Sequence, residues 1–219
     1  SCYHDVLSEL RGGRLDSHYH EALAVVLGLW ISRSTQRMSR AGVYHTKLET
    51  IEHPFGRQAI PLTWDYPEAN PFSGVTGSIS SALNGIVDYL SRFDPKSAPV
   101  KVSLGDAAKL PLPANSIDAV VTDPPYFDAI SYTDLSDFFY IWLKRGLGGV
   151  LPDVFSTPLT PKGDEATALK YRHGGNAEQA SMHFTTRLAA CLAEAKRVCK
   201  TDGIVTILFA HQSTEAWTA

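Results

Sequence analysis

Cysteine is scarce: Cys2, Cys191 and Cys199 are the three in a chain of 219 residues. An odd number this small does not make a disulfide framework. Cys191 and Cys199 fall in a stretch with helical character and read as buried thiols, so a reducing, cytoplasmic compartment is expected. Long apolar runs are also missing. A membrane-spanning helix needs about 20 residues; the longest run, Ala22 to Ile31, contains Gly28 and is followed by Arg33. No membrane partner is expected. No basic flank followed by an apolar core marks a signal peptide. Positive charge is not in excess: the formal net charge is -3 and the isoelectric point about 6.2, which excludes a broadly basic surface but not a local basic groove. The paired Cys-x-x-Cys of a zinc ribbon is absent too. Cys2 with His4 and His18 with His20 have the wrong spacing, and no metal site is expected.

What is present is ordinary globular composition, 44% hydrophobic and 20% charged, enough for one domain of average size. The chain opens at Ser1 and closes on Glu215-Ala216-Trp217-Thr218-Ala219, which resembles the first turn of a helix, so it reads as a piece of a longer protein. Residues 18–40 carry a helical stripe of Leu23, Val26, Leu27, Trp30 and Ile31, with Arg33, Arg37 and Arg40 toward the end. Residues 42–78 hold a loop packed with rings. A second helix is expected over 79–93, with Ile79, Leu83, Ile86, Val87 and Leu90 inward and Asp94-Pro95 closing it.

An alternating pattern follows. Val100–Leu104 reads as a short strand ended by Gly105-Asp106, and Ile117–Thr122 as a continuous apolar strand ended by Asp123-Pro124-Pro125-Tyr126. Ser131–Lys144 and 181–200 read as helices, the latter with Leu188, Cys191, Leu192, Ala195 and Val198 inward and Asp202-Gly203 as its cap. Ile204–Ala210 is the third expected strand, followed by His211. Residues 146–180, rich in Gly, Pro and charge, read as a mobile insert. Apolar strands alternating with helices predict a parallel sheet covered on both faces, with the ligand at the carboxyl ends of the strands. Two segments are expected: 1–95, helical and aromatic, and 96–219, the α/β part.

The Asp123–Tyr126 stretch has a chemical use. Two prolines stiffen the backbone and remove amide donors, which leaves the carbonyls of Asp123 and Pro124 to accept from another group. The Asp123 carboxylate adds an acceptor, and Tyr126 adds a flat ring. A planar heterocycle with an exocyclic amine matches this set: two N–H bonds to Asp123 and the Pro124 carbonyl, and stacking on Tyr126 worth roughly 1–3 kcal/mol. Accepting both hydrogens turns the nitrogen lone pair toward an electrophile, the methyl sulfonium of S-adenosyl-L-methionine. The alternative is a plain strand-ending turn.

VVTDPPYFD resembles the catalytic motif of amino-methyltransferases that act on nucleobases. FGRQAIPLTWDYPEANPFS, LGDAAKLPLPANSIDAVVTDPPYFDAISYTDLSDFFYIWLKR and DGIVTILFAHQSTEAWTA together are similar to the zinc-ribbon-containing adenine-specific DNA methylase family. The resemblance implies a Rossmann-like, S-adenosylmethionine-dependent methyltransferase fold, here incomplete and preceded by a helical N-terminal segment. It implies methyl transfer to N6 of a flipped adenine in DNA. Asp123, Pro124, Pro125 and Tyr126 are then catalytic, and Gly105, Asp106 and Asp123 border the cofactor. Tyr126, Phe127, Asp128, Tyr132 and His211 border the base. Phe138, Phe139, Tyr140 and Trp142 are expected to pack the helix. Arg57, beside Gln58, has binding of a phosphate or a carboxylate and a structural ion pair as equal readings, and Trp64-Asp65 and Asn70-Pro71-Phe72 read as loop packing.

The Gly-x-Gly cofactor loop after a first strand is absent: Gly12-Gly13, Gly148-Gly149 and Gly174-Gly175 do not follow apolar strands. The loop is expected from the upstream remainder of the protein or from a partner subunit, and the isolated chain is expected to have impaired activity. No cysteine follows a proline, which excludes the nucleophile of cytosine C5 chemistry. Two rival readings remain: an RNA amino-methyltransferase, and a non-catalytic nucleic-acid-binding subunit of a modification or defence complex.

Overall fold

The computed structural model describes Asp5 and residues 17–52, 54–55, 59–93 and 100–210. The architecture is mixed α/β. In chain order the elements are α1 (Ser17–Arg37), β1 (Val43–His45), β2 (Thr50–Glu52), α2 (Ile79–Arg92), β3 (Ile117–Thr122), α3 (Tyr132–Leu147), a 3-10 helix (Lys170–His173), α4 (Ala177–Val198) and β4 (Cys199–Ile207). They divide into two compact units: Ser1–Pro99 with Asp134–Thr160, and Val100–Thr133 with Pro161–Ala219. Residues 134–160 thus cluster with the N-terminal unit.

In the first unit the α1 core stripe differs from the expected one. The buried positions are His20, Ala24, Gly28 and Ser34, and the large residues flank them half-buried. Small residues win the centre because α3 approaches closely. A Cβ on Gly28 would lie 2.8 Å from Leu147 Cδ1. The core there joins Ala24, Tyr140, Leu147 and Phe155. Ser78 caps α2 by accepting from the Ser81 amide at 3.2 Å, and the Trp30 indole donates to the Ile79 carbonyl at 2.8 Å. Of α2, Ala82 alone among the described residues is fully buried, and the expected inward Val87 and Leu90 are exposed. Periodicity locates an apolar stripe; it does not say what covers it. The aromatic loop is likewise open: Trp64 is 91% and Phe72 82% exposed. Phe55 does pack edge-on against Phe138 at 5.3 Å. Tyr140 is buried, as expected for helix packing, but Trp142 is exposed. Arg57 and Gln58 lie outside the described residues.

In the second unit β3 matches its expected span and pairs in parallel with β4, from Ala119 opposite Ile204 to Thr122 opposite Ile207. β4 starts earlier than expected. Cys199 is the C-cap of α4 and already faces Ile117, and the ladder is irregular between there and Ile204. Asp202-Gly203 therefore belongs to the irregular part of the strand and is not the helix cap. Val100–Leu104 is not a strand: Val100, Val102 and Leu104 are 84, 88 and 83% exposed. An extended segment becomes a strand only when a ladder accepts it, and among the described residues this sheet is β3 with β4 alone. Its faces are not both covered there, since Val121 and Ile204 are exposed. A Rossmann-like order needs several parallel strands; two are described. The core joins Phe127, Ala168, Ala180 and Phe184, with Leu188 and Phe209 against it. Within residues 146–180, Phe155, Thr167, Ala168 and Leu169 are buried. No helix among the described residues is long and apolar enough to cross a membrane.

Glycine contacts separate a packed position from an open one. A Cβ on Gly203 would lie 2.6 Å from Cys199 Sγ and 2.8 Å from the Asp118 carbonyl, whereas one on Gly105 would meet nothing within 4 Å. Gly203→Ala is expected to destabilise the chain by about 1–3 kcal/mol, and Gly105→Ala by less than about 0.5 kcal/mol. Urea unfolding checks the pair; equal effects would contradict the β3–β4 packing.

Candidate functional site

The site begins where the ladder stops. The Leu208 amide donates to the Thr122 carbonyl at 2.9 Å, and the next residues are Asp123 and two prolines, which cannot donate. Asp123 is exposed, Pro124 buried, and Pro125 and Tyr126 half-buried. The carbonyls of Pro125 and Tyr126 accept from the amides of Phe127 and Ala129 at 3.1 and 3.0 Å. No backbone amide among the described residues donates to the Pro124 carbonyl.

Phe127 turns the chain with φ of 55°, a left-handed conformation that strains a bulky residue by about 1–3 kcal/mol. Two contacts hold it there: its carbonyl accepts from the Ala168 amide at 2.9 Å, and its ring meets Phe184 edge-on at 5.1 Å. Phe127 is thus a buried anchor under the motif. Sequence spacing placed it beside the motif but gave no sign of the positive φ that turns it inward. Asp128 is exposed and, with Lys170, Ser181 and Met182, borders an open cavity of about 560 Å³ that the Phe127 side also lines.

The Tyr126 ring meets Phe209 edge-on at 5.8 Å, and the Asp123 carboxylate acts on its hydroxyl. The hydrogen bond to Asp123, then burial and the Asp123 charge, push the phenol above its usual pKa. Tyr132 is raised as well, first by burial and then by the Asp123 charge, while the Tyr126 amide donating to its hydroxyl works the other way. Asp123, Tyr126, Tyr132 and Phe209 are therefore brought together. His211 lies outside the described residues.

Gly105 and Asp106 belong to a separate turn fastened to α4. The Ala108 amide and the Arg187 guanidinium donate to Asp106 Oδ1 at 2.9 and 3.0 Å. These two hydrogen bonds hold the Asp106 carboxyl below the ordinary carboxylate range. The following loop is tied down by Glu194, which accepts from the Leu110 amide at 2.8 Å, and by Arg197, which donates to the carbonyls of Leu110 and Leu112. Sequence reasoning missed Arg187, Glu194 and Arg197. Their spacing along α4 was a readable signal, since it puts them on one side of the helix. It also missed Glu165 and Arg172, which pair with each other and with Thr133. They sit in irregular chain, where no periodicity points to them.

In the first unit an apolar cavity of about 520 Å³ lies among Trp30, Met38, Ile79, Phe138 and Trp142, with Arg40 at its lining. It offers packing surface but no acid–base pair. Comparison of the chain with protein-family models, curated proteins and solved structures finds no match.

Two titrations check this geometry. Asp123→Asn is expected to bring the Tyr126 phenol down toward 10, seen by NMR of tyrosine labelled at Cζ; an unchanged titration would remove the Tyr126–Asp123 bond. The Glu194 carboxyl is lowered to about 2, chiefly by Arg197. A depressed carboxylate stabilises the fold above its unfolded value of 4.5 and loses that contribution as pH falls through about 2. The melting-temperature gap between the parent chain and Glu194→Gln should therefore be full at pH 6 and close on acidification toward pH 2. A gap independent of pH would contradict the pairing.

Proposed function

We propose that this chain carries the catalytic motif of an S-adenosylmethionine-dependent methyltransferase acting on the exocyclic N6 amine of adenine in DNA. The carrying observation is the open Asp123 carboxylate at the carboxyl end of a parallel strand, next to the buried Pro124 and the half-buried Tyr126. Asp123 and the Pro124 carbonyl each accept one hydrogen of the amine. That pairing fixes the amine and turns its lone pair out of conjugation with the ring. Tyr126 stacks the base, which leaves the duplex to reach it. The Asp123 carboxylate is placed to take the proton that nitrogen sheds as its new bond forms. Rate enhancement comes from positioning and from acceptors set in advance toward developing positive charge.

S-adenosyl-L-methionine supplies the electrophilic methyl group. Asp106 suits its hydroxyl groups: both described bonds to the carboxylate fall on Oδ1, which leaves Oδ2 to accept, and Gly105 leaves open space alongside. A Rossmann-like order and a cytoplasmic location go with this reading, and the free thiols of Cys191 and Cys199 support the latter.

A second reading draws on the two-stranded parallel sheet with its exposed Val121 and Ile204. In it the chain is a nucleic-acid-binding subunit, and the cofactor loop is supplied from elsewhere. Calorimetric titration of S-adenosylmethionine into the chain, with and without its upstream segment, separates the two.

Asp123→Ala in the full protein should lower kcat by about 10²-fold or more while cofactor affinity stays the same. Transfer of a tritiated methyl group to DNA measures the first and calorimetry the second. Retained turnover would refute the role given to Asp123.

A further inference from the structure

The cavity of about 520 Å³ in the first unit has a chemical preference of its own. Its size falls within the range of about 300–1,000 Å³ common for ligand sites. All of its lining residues belong to the first unit, whereas the motif belongs to the second. Helical spacing assembles the walls. On α1, Ile31 is followed by Met38 two turns on, just past the helix end, and Trp30 lies beside them. On α3, Phe138 and Trp142 are four residues apart and share a face. Ile79, the first residue of α2, completes the apolar lining.

Three polar groups of the lining are spent on the backbone. Trp30 Nε1 donates to the Ile79 carbonyl, Ser34 Oγ to the Trp30 carbonyl and Thr35 Oγ1 to the Ser32 carbonyl, each at 2.8 Å. A ligand with many hydrogen-bonding edges, such as a nucleobase, would lose its water partners here and gain few in return. An apolar body suits the cavity, and three aromatic side chains favour a flat one. Trp142 is 43% exposed, so its ring has surface left to cover.

The charge in the lining has one sign and one source, Arg40. Its backbone is fixed, because the Arg40 carbonyl accepts from the Thr63 hydroxyl at 2.7 Å. Its guanidinium lies 4.9 Å from the centroid of the Tyr66 ring, and a second guanidinium, Arg145, lies 5.8 Å from that of Trp142. Arg92, Arg172, Arg187 and Arg197 each pair with a carboxylate of this chain. Among the described residues Arg40 and Arg145 pair with none. A guanidinium held over a ring still offers its N–H fork to a carboxylate.

We propose that this cavity binds an aromatic carboxylate, with the ring among Trp30, Phe138 and Trp142 and the carboxylate on the Arg40 guanidinium. It is a binding site rather than a catalytic one, since no carboxylate, imidazole or thiol lines it. The inference stands apart from the methyl-transfer reading, which concerns the other unit.

Titration of the full protein with 2-naphthoate tests it, with 2-naphthalenemethanol as the neutral isostere and decanoate as an aliphatic acid. Naphthoate should shift the indole N–H signals of Trp30 and Trp142 in protein labelled with nitrogen-15 at tryptophan. The alcohol should bind on the order of 10-fold more weakly, because it lacks the charge-assisted bonds. Decanoate should also bind more weakly, for want of ring contacts. Arg40→Gln should weaken naphthoate binding on the order of 10-fold and bring it level with the alcohol. Arg92→Gln, which removes a paired arginine from α2, should leave it unchanged. Unmoved signals, or naphthoate held as tightly by Arg40→Gln as by the parent, would overturn the proposal, and so would decanoate binding as tightly as naphthoate. Sedimentation covers the remaining occupant. A protein that takes up no naphthoate and self-associates, but becomes monomeric in Trp142→Ala, would give the cavity to a second copy and overturn the proposal as well.

Discussion

The parallel ladder between β3 and β4 sets the position of the Asp123–Tyr126 turn. Its last bond runs from the Leu208 amide to the Thr122 carbonyl. One residue later the donors end, because Pro124 and Pro125 have none to give. The strand must stop there, and it stops with an open carboxylate. The register that pairs Thr122 with Ile207 also carries Phe209 to the side of Tyr126, so the ring that steadies the motif is delivered by the partner strand. A shift of that register would separate the two rings and move the turn off its support.

α4 serves the core and the site at once. Phe184 and Val198 are fully buried along it, and Phe184 supports the strained Phe127. Its charged positions reach the other way. Arg187 fastens the Asp106 turn and Arg197 the loop behind it, while His183 holds Glu165. Exposed ion pairs of this kind add little stability, typically about 0–1 kcal/mol. Their use here is geometric, because they hold irregular segments where apolar packing cannot. The buried Glu165–Arg172 pair is a different case. Leaving one partner of such a pair alone inside the protein is strongly destabilising, so the pair commits both the 3-10 helix and the start of α3 to one arrangement.

What could be read from the sequence follows from what sequence encodes locally. β3 is recovered to the residue because an apolar run followed by Asp-Pro-Pro marks both its character and its end. The helices are found within a few residues because their periodicity is long. The apolar faces of α1 and α2 were misplaced, since the centre of a packed face belongs to small residues such as Ala24 and Gly28 wherever two backbones come close. Val100–Leu104 has the alternation of a strand but no ladder among the described residues, and alternation cannot supply one. The left-handed φ of Phe127, which buries its ring against Phe184, left no mark in the sequence. The Glu165–Arg172 clamp was invisible, because it depends on chain that folds back irregularly.

The central claim is that Asp123, the Pro124 carbonyl and Tyr126 grip an amino group on a purine and make it a nucleophile. Incubating the full protein with DNA and an isotopically labelled methyl donor, digesting to nucleosides and resolving them by mass spectrometry tests this most directly. Label in N6-methyladenine is the expected result. Label confined to a ring carbon or to a different base, or none in nucleic acid of either kind, would contradict it.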